Sequence, residues 1–127
     1  MAGSQGSQMA IAVSNAGGLG SLPAAMLSLS DLRTELARIK SGTDRPYNVN
    51  FFCHETPAFD ARRDADWHQA LAPYYQELAL DQGSIGAGPG RAPFSAEAAD
   101  VLEEFKPPVV SFHFGLPSAA LLARVKS

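Results

Sequence analysis

Apolar positions along the chain recur at two spacings, and their alternation sets out a series of short elements. Ser4 and Ser7 precede the run Met9 to Val13, which stops at Asn15-Ala16-Gly17-Gly18 and predicts a helix with a glycine exit. Gly18 to Leu22 predicts a very short strand, closed by Pro23. Leu32, Leu36 and Ile39 fall at helical spacing with Arg33, Glu35, Arg38 and Lys40 on the other side, predicting a helix capped by Ser30 and ended at Ser41-Gly42. Tyr47 to Phe52 predicts a strand with Tyr47, Val49 and Phe51 on one face and Asn48, Asn50 and Phe52 on the other.

Trp67, Leu71, Tyr74 and Leu78 predict a helix over Asp60 to Leu80, which Pro73 is expected to split in two. Gly83, Gly86, Gly88, Gly90, Pro89 and Pro93 mark residues 81–94 as a flexible excursion and not a phosphate cradle. Ser95 opens a helix through Phe105, stopped by Pro107-Pro108. Val109 to Phe114 has the mostly apolar character of a parallel strand covered on both faces, and Gly115-Leu116-Pro117 turns it into a last helix.

Helix and strand alternating in this order imply right-handed βαβ units, which build either an open doubly wound sheet or a closed barrel. Periodicity does not choose between the two. The pattern opens at a strand-to-helix turn and closes within a helix. It shows three strands and the stub of an earlier one, against the eight strands and roughly 250 residues of a closed barrel. The expectation is an α/β fold truncated at both ends.

Composition narrows the function. The 127 residues are 46% hydrophobic and 18% charged, as in a globular domain. Ten basic against thirteen acidic residues leave a net charge of -3, and without a basic cluster a nucleic-acid partner is disfavoured. No apolar stretch approaches the roughly 20 residues of a membrane span, and the first twenty residues lack the layout of a secretory signal, so a cytoplasmic location is expected. Cys53 is the single cysteine, which excludes an internal disulfide; it reads as a packed or partly exposed thiol and not a nucleophile.

Several residues could carry chemistry, each with a structural alternative. The glycines of Asn15-Ala16-Gly17-Gly18-Leu19-Gly20 follow a helix and enter a strand, the reverse of a dinucleotide fingerprint, and read as a tight helix exit. Met1-Ala2-Gly3-Ser4 is small enough to let backbone N–H groups approach a flat ligand or an anion. Asn50 lies near the carboxyl end of a predicted strand, where its amide could donate to and accept from a heterocycle edge, and reads equally as a core asparagine. His113 holds the equivalent place on the next strand, as acid, base or donor, or as a packed histidine. His54 ranks second, and His68 reads as solvent-facing. Asp60, Asp64 and Asp66 interleave with Arg62 and Arg63, which makes a solvated face and not a metal cluster.

Three segments together resemble the nitronate monooxygenases, formerly 2-nitropropane dioxygenases: Met1-Ala2-Gly3 with Ala12 to Gly20, then Pro46-Tyr47-Asn48-Val49-Asn50-Phe51-Phe52, then Val110-Ser111-Phe112-His113-Phe114-Gly115-Leu116-Pro117. The match spans nearly the whole chain, in order. The resemblance implies the N-terminal portion of an FMN-binding (β/α) barrel of TIM type with a small added domain, and oxidation of alkyl nitronates by dioxygen to carbonyl compounds and nitrite. It implies that Met1, Ala2 and Gly3 lie along the flavin ring, that Asn50 contacts the flavin and that His113 lines the pocket above it. The family's substrate-activating histidine, in a Gly-Gly-His motif, and its phosphate-binding glycine loops fall beyond residue 127, so the catalytic residue is not among those read here. Asn48 stands where the family often has glycine. Two further readings are a related flavin-dependent enoyl reductase and a non-catalytic fragment that acts only by association with another chain, or with itself, through open sheet edges.

Overall fold

A computed structural model describes residues 3–55, 58–84 and 91–127. They fall into two units, residues 1–55 with 91–127 and residues 56–90. In the first unit the elements run α1 (Ser7–Asn15), β1 (Gly20–Pro23), α2 (Leu29–Gly42), β2 (Tyr47–Phe52), α4 (Ala96–Phe105), β3 (Val109–His113) and α5 (Ala119–Lys126). The second unit holds α3 (Ala61–Glu77) and a 3-10 turn at Gln82–Ser84.

The three strands are parallel and lie in the order β1-β2-β3, so chain order equals spatial order. Tyr47, Val49 and Phe51 of β2 and Leu22 of β1 are buried with Leu32, Leu36 and Ile39 of α2 and Val101 and Leu102 of α4 in one apolar cluster. The helices stand in a row, α1 beside α2, α2 beside α4 and α4 beside α5. A doubly wound sheet places helices on both faces and reverses strand order at a switch point; a barrel steps round one way with all helices outside. The sequential order and the one helical layer belong to the barrel, and the fold is part of a parallel TIM-type α/β barrel.

The other face of the sheet carries Ser21 of β1, Asn48, Asn50 and Phe52 of β2, and Ser111 and His113 of β3, at matching register. Here β3 departs from expectation. It is not covered on both faces: Val110 and Phe112 pack against the core, while Ser111 is half-buried and Val109 and His113 are exposed. It also ends at His113, one residue early, because Phe114 takes a left-handed φ of 65° that no strand continues.

Other boundaries shift for local reasons. The cap of α2 is Ser28 and not Ser30: its Oγ accepts from Asp31 N at 3.1 Å, which starts the helix at Leu29. Strand β1 runs through Pro23 because the ladder bond at this level is donated by Ala24 N to Asn50 O at 2.8 Å, so the missing proline N–H falls on the side away from β2. Helix α3 is continuous through Pro73; the carbonyl of Gln69 that loses its partner belongs to a helix with no buried residue, so the proline strands no acceptor in a core. In the stretch 81–94, Gln82–Ser84 form the 3-10 turn, residues 85–90 lie outside the described residues, and Phe94 is buried against Phe51 with its N–H on Phe52 O at 2.8 Å.

Helix α4 exits through Lys106, whose φ of 48° is left-handed and whose N–H reaches Leu102 O at 2.7 Å. A side chain in that conformation costs roughly 1–2 kcal/mol, part of which glycine returns as unfolded-state entropy. Lys106→Gly is therefore expected to stabilise by about 0.5–1 kcal/mol, read as a higher urea midpoint at unchanged m-value. Helix α5 is tied back to α4 by Arg124, which bonds Asp100 at 2.6 Å and Glu103 at 2.7 Å.

Candidate functional site

A βαβ fold gathers its chemistry at the carboxyl ends of parallel strands, where loops vary without disturbing the sheet. At that end of β2 and β3 the structure brings Asn50 and His113 together: Asn50 Nδ2 lies 2.9 Å from His113 Nδ1. Strand alternation puts both on the face away from the helices, and the pairing of Asn50 with Ser111 and of Phe52 with His113 sets them one step apart.

Gly3 stands beside the residues that follow β1. Its φ is +81°, and a Cβ there would sit 3.6 Å from Met26 Sδ. The segment is tethered to the sheet through Gln5, whose Nε2 donates to Ser21 O at 3.1 Å. Gly3 is thus near the carboxyl end of β1, Asn50 in β2 and His113 at the end of β3, all at one end of one sheet. Met1 and Ala2 lie outside the described residues.

Beneath Asn50 the same face carries a polar ladder that the sequence alone does not reveal. Asn48 Nδ2 donates to Ser21 Oγ at 2.8 Å and to Ser111 Oγ at 2.9 Å, spanning all three strands. Asn50 Nδ2 donates to the same Ser111 Oγ at 2.8 Å and to Ser111 O at 3.3 Å. Asn48 is buried, and its Oδ1 finds no donor among the described residues. The signal for the ladder was the parity of Ser111 with His113 in an otherwise apolar run.

Aromatic rings frame this end. Phe114 packs edge-on to Phe52 with centroids 4.9 Å apart, and its left-handed backbone, worth roughly 1–3 kcal/mol of strain, is held against that cost. His54 is half-buried with its ring 6.3 Å from Phe52 and does not join the Asn50–His113 pair. Cys53 donates its backbone N–H to His113 O at 2.8 Å, and burial pushes its thiol pKa up, so it is no ready thiolate.

In the second unit Asp60 caps α3, accepting from Arg62 N at 3.0 Å and Arg63 N at 3.1 Å, and Asp64 faces His68 at 3.5 Å. Among the described residues no helix is long and apolar enough to cross a membrane.

A family model described as nitronate monooxygenase matches residues 1–127. A nitronate monooxygenase of Paraburkholderia phytofirmans is 38% identical over 134 residues, covering 99% of this chain and 35% of that protein. One from Pseudomonas aeruginosa is 35% identical over 86% of this chain and 31% of its own length. Among solved structures, the nitroalkane oxidase of Streptomyces ansochromogenes superposes with a TM-score of 0.79 at 32% identity over 99% of this chain and 35% of that one. FabK of Thermotoga maritima, at 23% identity and a TM-score of 0.60, shares the fold. The chain spans about a third of the length of the curated relatives it matches.

Proposed function

This chain belongs to the nitronate monooxygenase family, and on that footing we propose that it forms part of the flavin wall of an enzyme that oxidises alkyl nitronates with dioxygen to carbonyl compounds and nitrite. The observation that supports this reading is the Asn50–His113 pair at the carboxyl end of β2 and β3, on the face the helices leave uncovered.

The residues present fit a planar ring. Gly3 offers backbone without a Cβ, Asn50 an amide, and His113 an imidazole, with Phe52 and Phe114 apolar beside them. The flavin, proposed to be FMN, supplies the redox and oxygen chemistry when bound. The chain's own part is to orient the ring through Asn50 and the Gly3 backbone and to close one side of the pocket against water. Met1 and Ala2 would extend the Gly3 contact. The small-molecule partners are an alkyl nitronate and dioxygen.

A fusion of residues 1–127 to the remaining two-thirds of the P. phytofirmans relative tests the reading. It is expected to bind FMN, seen as quenched flavin fluorescence, and to release nitrite from an alkyl nitronate under air. Asn50→Leu in the fusion is expected to weaken FMN binding about tenfold, the worth of one hydrogen bond of roughly 1.4 kcal/mol. A fusion that folds and binds no FMN sinks the proposal, and nicotinamide oxidation linked to an enoyl thioester without nitrite would replace it with an enoyl reductase. The 127 residues by themselves are expected to bind FMN weakly, since the family's phosphate-binding loops are not among them.

A further inference from the structure

The geometry points to Ser111 as a positioning residue that locks the Asn50 amide and, through it, holds His113 as the Nε2–H tautomer, leaving Asn50 Oδ1 as the acceptor that the pocket wall presents. The inference rests on the proposed function only for the identity of the ligand.

The steps follow from which atoms can donate. Ser111 O is a carbonyl and only accepts, so the Asn50 atom 3.3 Å from it is the amide nitrogen and not the oxygen. Ser111 Oγ, 2.8 Å away, accepts from the same group, and one N–H is shared between the two oxygens of Ser111. The second N–H points at His113 Nδ1, 2.9 Å distant. An amide nitrogen cannot accept there, so Nδ1 accepts and the neutral ring carries its proton on Nε2.

Asn48 braces the fulcrum. Its Nδ2 donates to Ser111 Oγ at 2.9 Å and, on the other side, to Ser21 Oγ at 2.8 Å, so the serine oxygen receives an N–H from each asparagine and has one rotamer that serves both. With the amide nitrogen committed, Asn50 Oδ1 is the atom left to meet a ligand, and no described residue donates to it. The Nε2–H of His113 lies across the ring from the bonded Nδ1 and points away from the amide. A ligand group that matches Oδ1 is a donor, such as the N–H of an amide-like or imide-like heterocycle. The same arrangement rejects a ligand acceptor at that position by setting it against Oδ1 and leaving both unpaired.

The test uses the isotope-labelled 127-residue chain without FMN, at a pH where the ring is neutral, and reads the His113 tautomer from long-range proton–nitrogen correlations. The parent is expected to show Nε2–H. Ser111→Ala, which removes the hydroxyl anchor, is expected to shift His113 toward a mixture of tautomers, and Ser111→Thr, which keeps the hydroxyl, to restore the parent pattern. Asn50→Asp replaces the donor with an acceptor in the same place and is expected to invert His113 to Nδ1–H. A parent His113 found as Nδ1–H or as the mixture of a free imidazole overturns the inference, as does a tautomer indifferent to both Ser111→Ala and Asn50→Asp. No flavin enters this measurement, so its failure is separate from a failed FMN titration of the fusion, which would remove the ligand and leave the positioning standing.

Discussion

Gly20→Ala is expected to leave the chain without a cooperative unfolding transition. A Cβ at Gly20 would lie 1.9 Å from Ala10 O, 2.7 Å from Ala10 C and 2.6 Å from Ser14 Oγ, and two of these atoms are the backbone of α1. A flexible side chain could swing aside; a helix backbone moves only if the whole helix lifts off the sheet. Ser14 prevents that. It is fully buried, accepts from Gly20 N at 3.2 Å and donates to Pro46 O at 2.9 Å, which bolts α1 to β1 and to the turn before β2. Overpacking a tight core ordinarily costs about 1–3 kcal/mol, and more where backbone must shift. Here the clash and the loss of one buried and one part-buried hydrogen bond act together, against a total stability of roughly 5–15 kcal/mol for a domain. Urea titration followed by far-ultraviolet circular dichroism is expected to show a broad, shallow slope in place of the parent's transition. A variant that unfolds cooperatively with a stability within about 1 kcal/mol of the parent would show that α1 can be displaced cheaply.

The same residues explain what the sequence could and could not disclose about the fold. Helix α2 was legible because Leu32, Leu36 and Ile39 meet one surface, the sheet, and their spacing records that contact. Strand β2 was legible because its two faces differ: Val49 meets helices and Asn50 does not. The choice of barrel over doubly wound sheet was hidden from periodicity and came from the family resemblance alone, since it depends on which side of the sheet each crossover lands, and a helix carries the same stripe on either side. Phe94 was hidden for a related reason. It follows a run of glycines and prolines, yet its burial is decided by Phe52 O, which takes its N–H, and by the rings of Phe51 and Phe112.

At the site, position was legible and chemistry was not. Asn50 and His113 could be placed at strand ends by counting, and the structure joins them at 2.9 Å. Ser111 drew no notice because one serine within Val-Val-Ser-Phe-His-Phe reads as a tolerated polar residue in a doubly covered strand. Its meaning comes from register, which sets it opposite Asn50, and register is not written in one strand's composition.

Glu35 is a further residue that only the structure reveals, and its removal is expected to have the second-largest effect on stability. In sequence it is one of the charged positions on the outer side of α2. In the fold its Oε2 accepts from Ser7 N at 2.6 Å, at the first turn of α1, whose own N-cap Gly6 makes no side-chain bond. Glu35 therefore caps α1 from a neighbouring helix, and it can approach because Gly6 has no Cβ, which would stand 2.7 Å from Oε2. The Ser7 N–H holds the Glu35 carboxyl below the usual range, outweighing the desolvation that pushes it up, and Arg38 adds to the lowering.

Ser7 is buried, so Glu35→Ala strands its N–H and is expected to cost about 1–3 kcal/mol at neutral pH, with Glu35→Gln intermediate because an amide oxygen still accepts. A carboxyl whose pKa falls on folding stabilises fully above its unfolded value, about 4.3, and loses that stabilisation as pH drops through the lower folded value. The gap between parent and Glu35→Ala in urea midpoints should accordingly be widest near pH 7 and narrow in acid. A gap that stays constant with pH would assign the loss to packing and not to the charged cap. Residues 3–6 hang on this cap and on the Gln5–Ser21 bond, so in the fusion Glu35→Ala is expected to weaken FMN binding while leaving the His113 tautomer unchanged, which separates the Gly3 side of the wall from the Asn50 side.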